Sequence, residues 1–240
     1  MSNQAVSPVD WASPFVCQHL DGEHQREMLN IAYSLRHQVY CQECNFLPTE
    51  QYADGLETDQ FDEQSAHFSA HNALDELIGY VRLVPVRENG IFPFEQHCQE
   101  LFPHIEQPPR DQAAEISRLI VRRDYRRRKG DTINGVTIQT IEPNGNILVH
   151  NRRKHPVILL GLFRQMYMYS IGSGIRYWYA AMERPLNRIL SQFGFIFTQV
   201  SPEIDYYGLV ACYLADLRKL EEDLHRTNPA LLMWFRQDIL

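Results

Sequence analysis

The 240 residues carry 44% hydrophobic side chains and a formal net charge of −7, enough apolar content for a soluble core and a balance that argues against general nucleic-acid affinity. The first 25 residues lack a basic start ahead of an apolar core, and the longest apolar stretch, Val157 to Phe163, is too short to span a bilayer. Five cysteines (17, 41, 44, 98 and 212) show no framework spacing, which favours a reducing, cytoplasmic setting.

Residues 1–24 have no clear period and read as an N-terminal extension. From Gln25 to Gln42 apolar residues recur at Met28, Ile31, Leu35 and Val39, the spacing of a helix, with Arg36 near its end and placed to escape the buried stripe. Cys41-Gln-Glu-Cys44 has no second pair behind it and reads as two half-buried thiols at the helix end. Residues 45–64 form a polar loop that packs Glu57, Asp59 and Asp62 into six positions beside a turn-forming Asp54-Gly55. Ala66, Phe68 and Ala70 alternate with polar neighbours, and Glu76 to Val86 continue as an apolar run; together they predict an antiparallel hairpin. Residues 88–112 are rich in proline and read as an irregular connection.

Ala114 to Arg122 is the strongest candidate for a buried central strand, yet it opens with Glu115-Ile-Ser-Arg118. Buried charges are tolerated only when paired or put to use, so these residues call for a chemical explanation. Strict alternation puts Glu115, Ser117 and Leu119 on one face and Arg118 and Ile120 on the other. Both charges reach one cleft only if the strand bulges, as strands do beside active sites. Behind it stand Arg122, Arg123, Arg126, Arg127, Arg128 and Lys129. Such a run is by default a solvated face, but its position also suits a phosphorylated or acidic partner. Nucleic acid ranks third, because nothing both aromatic and exposed interleaves the charges. Residues 131–155 hold turn signals and no helix, and read as a mobile insertion. Pro156 opens a helix to Ser170; Arg176 to Met182 is a strand, Arg184 to Phe193 a short helix, and Phe195 to Val200 and Leu209 to Ala215 are strands. Asp216 to Arg226 is a charged helix, and 227–240 an apolar tail able to pack onto something. The domain proper is therefore 25–226, mixed α/β. His67, His71 and His97 sit at no metal-ligand spacing, and no metal is assigned.

Four ordered motifs carry a resemblance: Arg36 late in the first helix, the loop Gly55-Leu-Glu-Thr-Asp-Gln-Phe-Asp62, Arg82 in Tyr80-Val-Arg-Leu83, and Glu115-Ile-Ser-Arg118. They are similar to those of the GCN5-related N-acyltransferase (GNAT) fold and, within it, of the LuxI-type autoinducer synthases. The chain most resembles the acyltransferases of PEP-CTERM/exosortase sorting systems, which are related to N-acyl amino acid synthases. One departure stands at Phe46, where the autoinducer synthases carry Trp; it counts against their S-adenosylmethionine substrate.

The resemblance implies a mixed central sheet flanked by helices, and transfer of a medium- or long-chain acyl group from an acyl carrier protein or coenzyme A thioester to an amine, such as that of an amino acid. It implies no tightly bound cofactor, and leaves the oligomeric state open. Glu115 would be the base, or else a structural partner of Arg82 or Arg118. Arg36, Arg82, Arg118, Asp59 and Asp62 would complete the catalytic set. Glu57, Asp59 and Asp62 would face a cationic acceptor or fix the arginines, with Glu57 alone the one expected to be a solvated loop acid. Phe46, Ser117 and the backbone of Leu119, Ile120 and Val121 would meet the substrate. Arg122, Arg123, Arg126, Arg127, Arg128, Lys129 and Gly130 would meet the phosphopantetheine arm or the carrier protein. The alternatives are an acyl-homoserine lactone synthase, a non-catalytic acyl-carrier sensor, and a membrane-surface protein using 122–129 with the apolar tail.

Overall fold

A computed structural model describes residues 15–22, 25–86, 90–98, 100–125, 157–206 and 208–237, together with the backbone of two short strands at Gln139–Ile141 and Ile147–Val149. The first strand, β1 (Val16–His19), pairs antiparallel with β2 at the sheet edge. Part of the stretch expected to be an extension thus belongs to the sheet. Helix α1 (Gln25–His37) runs directly into a π-helical turn over Gln38–Glu43. Such wide turns are rare and gather at functional sites.

Strands β2 (Ala66–His71) and β3 (Leu77–Pro85) form the expected hairpin, and β3 pairs antiparallel with β4 (Ala113–Val121). Strands β5 (Gln139–Ile141) and β6 (Ile147–Val149) make a separate ribbon within the expected insertion, most of which lies outside the described residues. Helix α2 (Val157–Gly172) leads to β7 (Tyr177–Met182), and β7 to α3 (Arg184–Gln192). The strand expected over Phe195–Val200 is only β8 (Thr198–Gln199); β9 (Ile204–Asp205) and β10 (Leu209–Asp216) follow. Helices α4 (Leu217–Thr227) and α5 (Pro229–Arg236) end the described chain. The sheet order is β1-β2-β3-β4-β7-β10-β8, with β9 on β10.

One face of the sheet packs against α2. Its Ile158, Leu162, Phe163 and Met166 meet Phe68, Val81, Leu83 and Trp178 in a core that α5 extends with Leu231 and Phe235. This helix is apolar on nearly every side because it is covered by sheet and helices together. Its close approach uses Gly161, where a Cβ would lie 2.5 Å from the Cys17 sulfur of β1. The described part of the apolar tail, α5 (Pro229–Arg236), packs here through Leu231, Leu232 and Phe235. The opposite face is covered by α1 and the π-helical turn after it: Ala32 and Leu35 of the helix and Val39 of the turn meet Leu77, Tyr80 and Ile120.

The feature that shapes the site lies between β4 and β7. They pair in parallel from Ala113↔Tyr177 to Ile116↔Ala180, and there the ladder stops. Beyond it Ser117–Val121 and Ala181–Met182 part, opening a wedge in the middle of the sheet. Just past the split β4 bulges: Tyr80 faces Ile120 while Arg82 faces Ser117, so β4 spends one residue more than β3. Arg118 takes the extra position with φ 55°, a left-handed conformation that costs a non-glycine residue about 1–2 kcal/mol.

Candidate active site

The acidic loop is built from its own turns. Gly55 takes φ 73°, and Asp54 closes the turn by accepting from the Leu56 N–H at 3.1 Å. The Glu57 N–H donates to the Tyr33 carbonyl of α1 at 3.1 Å. Asp59 accepts from the Phe61 N–H at 2.9 Å, and Asp62 from the Asp59 N–H at 2.8 Å. The three carboxylates therefore turn inward from a folded loop.

They meet three arginines brought from α1, β3 and β4. Arg36 donates from Nε to Glu57 and from Nη1 to Asp62, both at 2.5 Å. Arg82 makes a two-pronged contact with Asp59 at 2.6 Å on each side and reaches Asp62 at 2.6 Å. Arg118 donates to Glu57 at 3.0 Å and to Asp59 at 3.1 Å. Arg36, Arg82 and Glu57 are 0% exposed, whereas the Arg118 side chain is 18% and Asp59 23% exposed. Two expectations are thereby corrected. Arg36 does not escape the buried stripe, and Glu57 is no solvated acid; each is buried by the partner that the other supplies. The carboxylates fix the arginines.

Charge pairing sets the protonation of this cluster. Burial alone would raise the carboxyls, but the arginine hydrogen bonds and charges outweigh it: Asp59 falls to about 2, and Glu57 and Asp62 also fall below the ordinary range. His67 lies behind them. Its Nε2 contacts the Asp62 carbonyl at 2.9 Å, which can only accept, so Nε2 carries the proton and Nδ1 accepts from the Tyr80 hydroxyl at 2.6 Å. Burial lowers its pKa, so it is a neutral strut.

Glu115 behaves differently. It is 3% exposed and bonds to neither Arg82 nor Arg118, contrary to the structural pairing considered above; instead Oε2 accepts from the Phe94 N–H at 2.8 Å. Burial raises its carboxyl to about 8, with Phe94, Arg82 and Arg118 only partly opposing the shift. It lines a cavity of ≈ 600 Å³ in the wedge between β4 and β7. The bulge places Ser117, Arg118 and Leu119 on the same wall, which resolves the alternation problem posed by the sequence. Ser117 Oγ also accepts from Arg82 at a long 3.4 Å, tying the wall to the charge cluster. Phe46 and Leu47 line the cavity together with Tyr40, whose ring lies 5.2 Å from the Arg118 guanidinium. The apolar lining comes from Phe163, Met182, Leu186, Leu190 and Phe197, with Val210.

Ile120 packs under α1 and Val121 against the main core, so neither side chain reaches the cavity. Arg122 pairs with Asp124 at 2.6 Å and approaches Glu76 at 3.6 Å, and Arg123 is exposed beside it. Arg126, Arg127, Arg128, Lys129 and Gly130 lie outside the described residues. Tyr40, Pro93, Glu183 and Tyr206 also line the cavity and were not singled out from sequence. For the turn bearing Pro93 and Phe94 a signal exists: Pro93 opens it, and Glu95, three residues after Phe92, accepts from the Phe92 N–H at 2.7 Å, a capping pattern readable in Phe-Pro-Phe-Glu. Among the described residues no group of three or more His, Cys, Asp or Glu is arranged to hold a metal, and no described helix is long and apolar enough to cross a membrane.

A mixed sheet parted between two parallel strands, with a bulge at the split, defines a GNAT fold. Residues 35–134 match the family model for the acetyltransferase (GNAT) domain, so the chain carries an acyltransferase domain of the GNAT type. Solved structures agree on the fold. TofI, in a ternary complex with an inhibitor and MTA, superimposes with a TM-score of 0.60 at 16% identity, covering 90% of this chain and 98% of that one. BjaI, a CoA-dependent acyl-homoserine lactone synthase with SAM and isopentyl-CoA, gives 0.57 at 20% identity over 88% and 87%. FeeM, an N-acyl amino acid synthase from uncultured soil microbes, gives 0.54 at 12% identity over 89% and 96%. No curated protein sequence matches the chain.

Proposed function

We propose that this acyltransferase moves a medium- or long-chain acyl group from an acyl carrier protein or coenzyme A thioester onto the amine of an amino acid. One observation carries the reading: Glu115, a carboxyl raised to about 8, stands on the wall of a large, mainly apolar cavity at the split of the sheet. A base is most effective with its pKa near the working pH, and this one would take the proton of an attacking amine directly or through a water. Parting from β7 leaves the backbone of β4 beyond Ile116 without a strand partner on that side, which suits it to pair with pantetheine amides and to donate to a tetrahedral oxyanion. Phe163, Met182, Leu186, Leu190 and Phe197 would receive the acyl chain. Arg118 is the one cation among the described lining residues and would meet the acceptor's carboxylate.

Attack would be direct. The amine nitrogen bonds to the thioester carbon, Glu115 receives the amine proton, and the C–S bond breaks to release a thiolate, which takes a proton back from Glu115 or from water and leaves as the thiol. The described lining holds no thiol, and Ser117 accepts a hydrogen bond from a guanidinium rather than facing a base, so no acyl-enzyme is needed. The link to exosortase systems rests on the sequence motifs. The soluble setting in the cytoplasm and the role of the basic run in carrier docking belong to the same proposal.

The test is purified protein incubated with C8 to C16 acyl-carrier and acyl-CoA thioesters and pooled amino acids, read by mass spectrometry. N-acyl amino acids with stoichiometric thiol release are expected. Product only with S-adenosylmethionine would favour a lactone synthase, as the likeness to BjaI suggests; binding without thiol release would favour a sensor.

A further inference from the structure

The carboxyl of Glu115 is held by a device outside the charge cluster and outside the four motifs. The turn Pro93–Gln96 leans over β4 and supplies the Phe94 N–H that Glu115 accepts. That turn has little regular structure of its own, but it is clamped. Glu95 caps it through the Phe92 N–H at 2.7 Å. Arg110, from the turn leading into β4, grips both Glu95 oxygens at 2.8 Å each, donates to the Gly90 carbonyl at 3.0 Å, and lays its guanidinium 4.9 Å from the centre of the Phe92 ring. The rings of Phe92 and Phe94 stack at 5.7 Å and close on Tyr179, the residue paired with Glu115 across the β4–β7 ladder.

We propose that Arg110 and Glu95 are positioning residues for Glu115, their two-pronged pair holding the turn whose Phe94 N–H fixes the carboxyl at the cavity wall. The proposal rests on the acyltransferase reading for its purpose but not for its geometry. The pair is half-exposed, and an isolated surface ion pair contributes little to stability. Here it instead locks one backbone donor onto one buried acceptor, and a small displacement of a reacting group costs rate far more than it costs stability.

The charges facing Glu115 are Arg82 on β3, Arg118 on β4 and Glu95 on the turn; the Cys212 thiol on β10 faces it uncharged, and Tyr179 on β7, its partner across the ladder, turns its hydroxyl to Gln107. This set makes the test discriminating. In Glu95→Ala the loss of a negative charge would by itself make Glu115 easier to ionise. Loss of the Phe94 donor makes it harder, because a buried carboxylate without that hydrogen bond is disfavoured.

The experiment follows the protonated-carboxyl infrared band of Glu115 against pH, with Glu115→Gln as the blank, in Arg110→Met, Arg110→Lys and Glu95→Ala. The midpoint should move up by about half a pH unit or more in Arg110→Met and Glu95→Ala, and less in Arg110→Lys. With substrate, kcat should fall about tenfold at neutral pH with KM little changed, and its rising limb should move with the midpoint. A midpoint that stays in place or falls in folded Arg110→Met and Glu95→Ala overturns the proposal. If the midpoint rises while the parent protein transfers no acyl group to any amine, the positioning role stands and the functional reading falls.

Discussion

Glu115→Gln should abolish acyl transfer while leaving the protein folded and, at alkaline pH, more stable. Removing a general base typically costs 10²- to 10⁴-fold in rate, and the glutamine keeps an oxygen to accept the Phe94 N–H, so the turn above it survives. The stability effect follows from linkage. A carboxyl raised from 4.5 to about 8 in the folded state binds its proton more tightly there than in the unfolded chain. Native stability from this group is full below the unfolded value and is lost as pH rises through the folded one. With each unit worth about 1.4 kcal/mol, the parent gives up on the order of a few kcal/mol across that window and the glutamine variant does not. Denaturant titrations of both proteins from pH 5 to about 9 would show the two curves separating towards alkaline pH. Parallel curves together with full activity in the variant would remove Glu115 from the base role.

Asp62→Ala should be the most destabilising single change at the site. Asp62 Oδ1 is shared by Arg36 and Arg82, and Oδ2 holds the loop through the Asp59 N–H. Three arginines and three carboxylates form a neutral cluster; removing one acid leaves a buried positive charge, a loss of about 3–5 kcal/mol. Against a typical total of about 5–15 kcal/mol that brings the domain near its threshold. Asp62→Asn, which keeps the shape but not the charge, should lose less. The cluster also predicts acid sensitivity. Its depressed carboxyls stabilise the fold above their unfolded values, and that contribution disappears as pH falls through about 2, the value reached by Asp59. Urea midpoints for the two variants at neutral pH check the ranking; a loss below about 1 kcal/mol in Asp62→Ala would show that the network is not what holds the loop.

Much of the fold was legible because its signals are local. The α1 period, the alternation in β2, the apolar run of β4 and the Pro156 and Gly172 punctuation of α2 each lie within one element. The bulge was legible as a condition: Glu115 and Arg118 could share a cleft only if β4 broke its alternation, and Arg118 at φ 55° is that break. Strand β1 was not legible, since Val16–His19 is four residues at a sheet edge with only alternate positions half-buried, too little pattern to separate from a loop. The fate of Glu57 was out of reach for a different reason. Its neighbours in sequence are polar, and what buries it are Arg36, 21 positions before it, and Arg118, 61 after it. The role of Arg110 was hidden likewise, because a proline-rich connection shows its function only when one sees which backbone N–H it presents.

The central claim is that the wedge between β4 and β7 holds the acyl chain with its thioester beside Glu115. A crystal structure with a non-hydrolysable long-chain acyl-pantetheine analogue tests it most directly. The account predicts the chain among Phe163, Met182, Leu190 and Phe197, with the carbonyl mimic within hydrogen-bond reach of the β4 backbone beyond Ile116. Density for the analogue elsewhere on the molecule, with the wedge unfilled at saturating ligand, would contradict it.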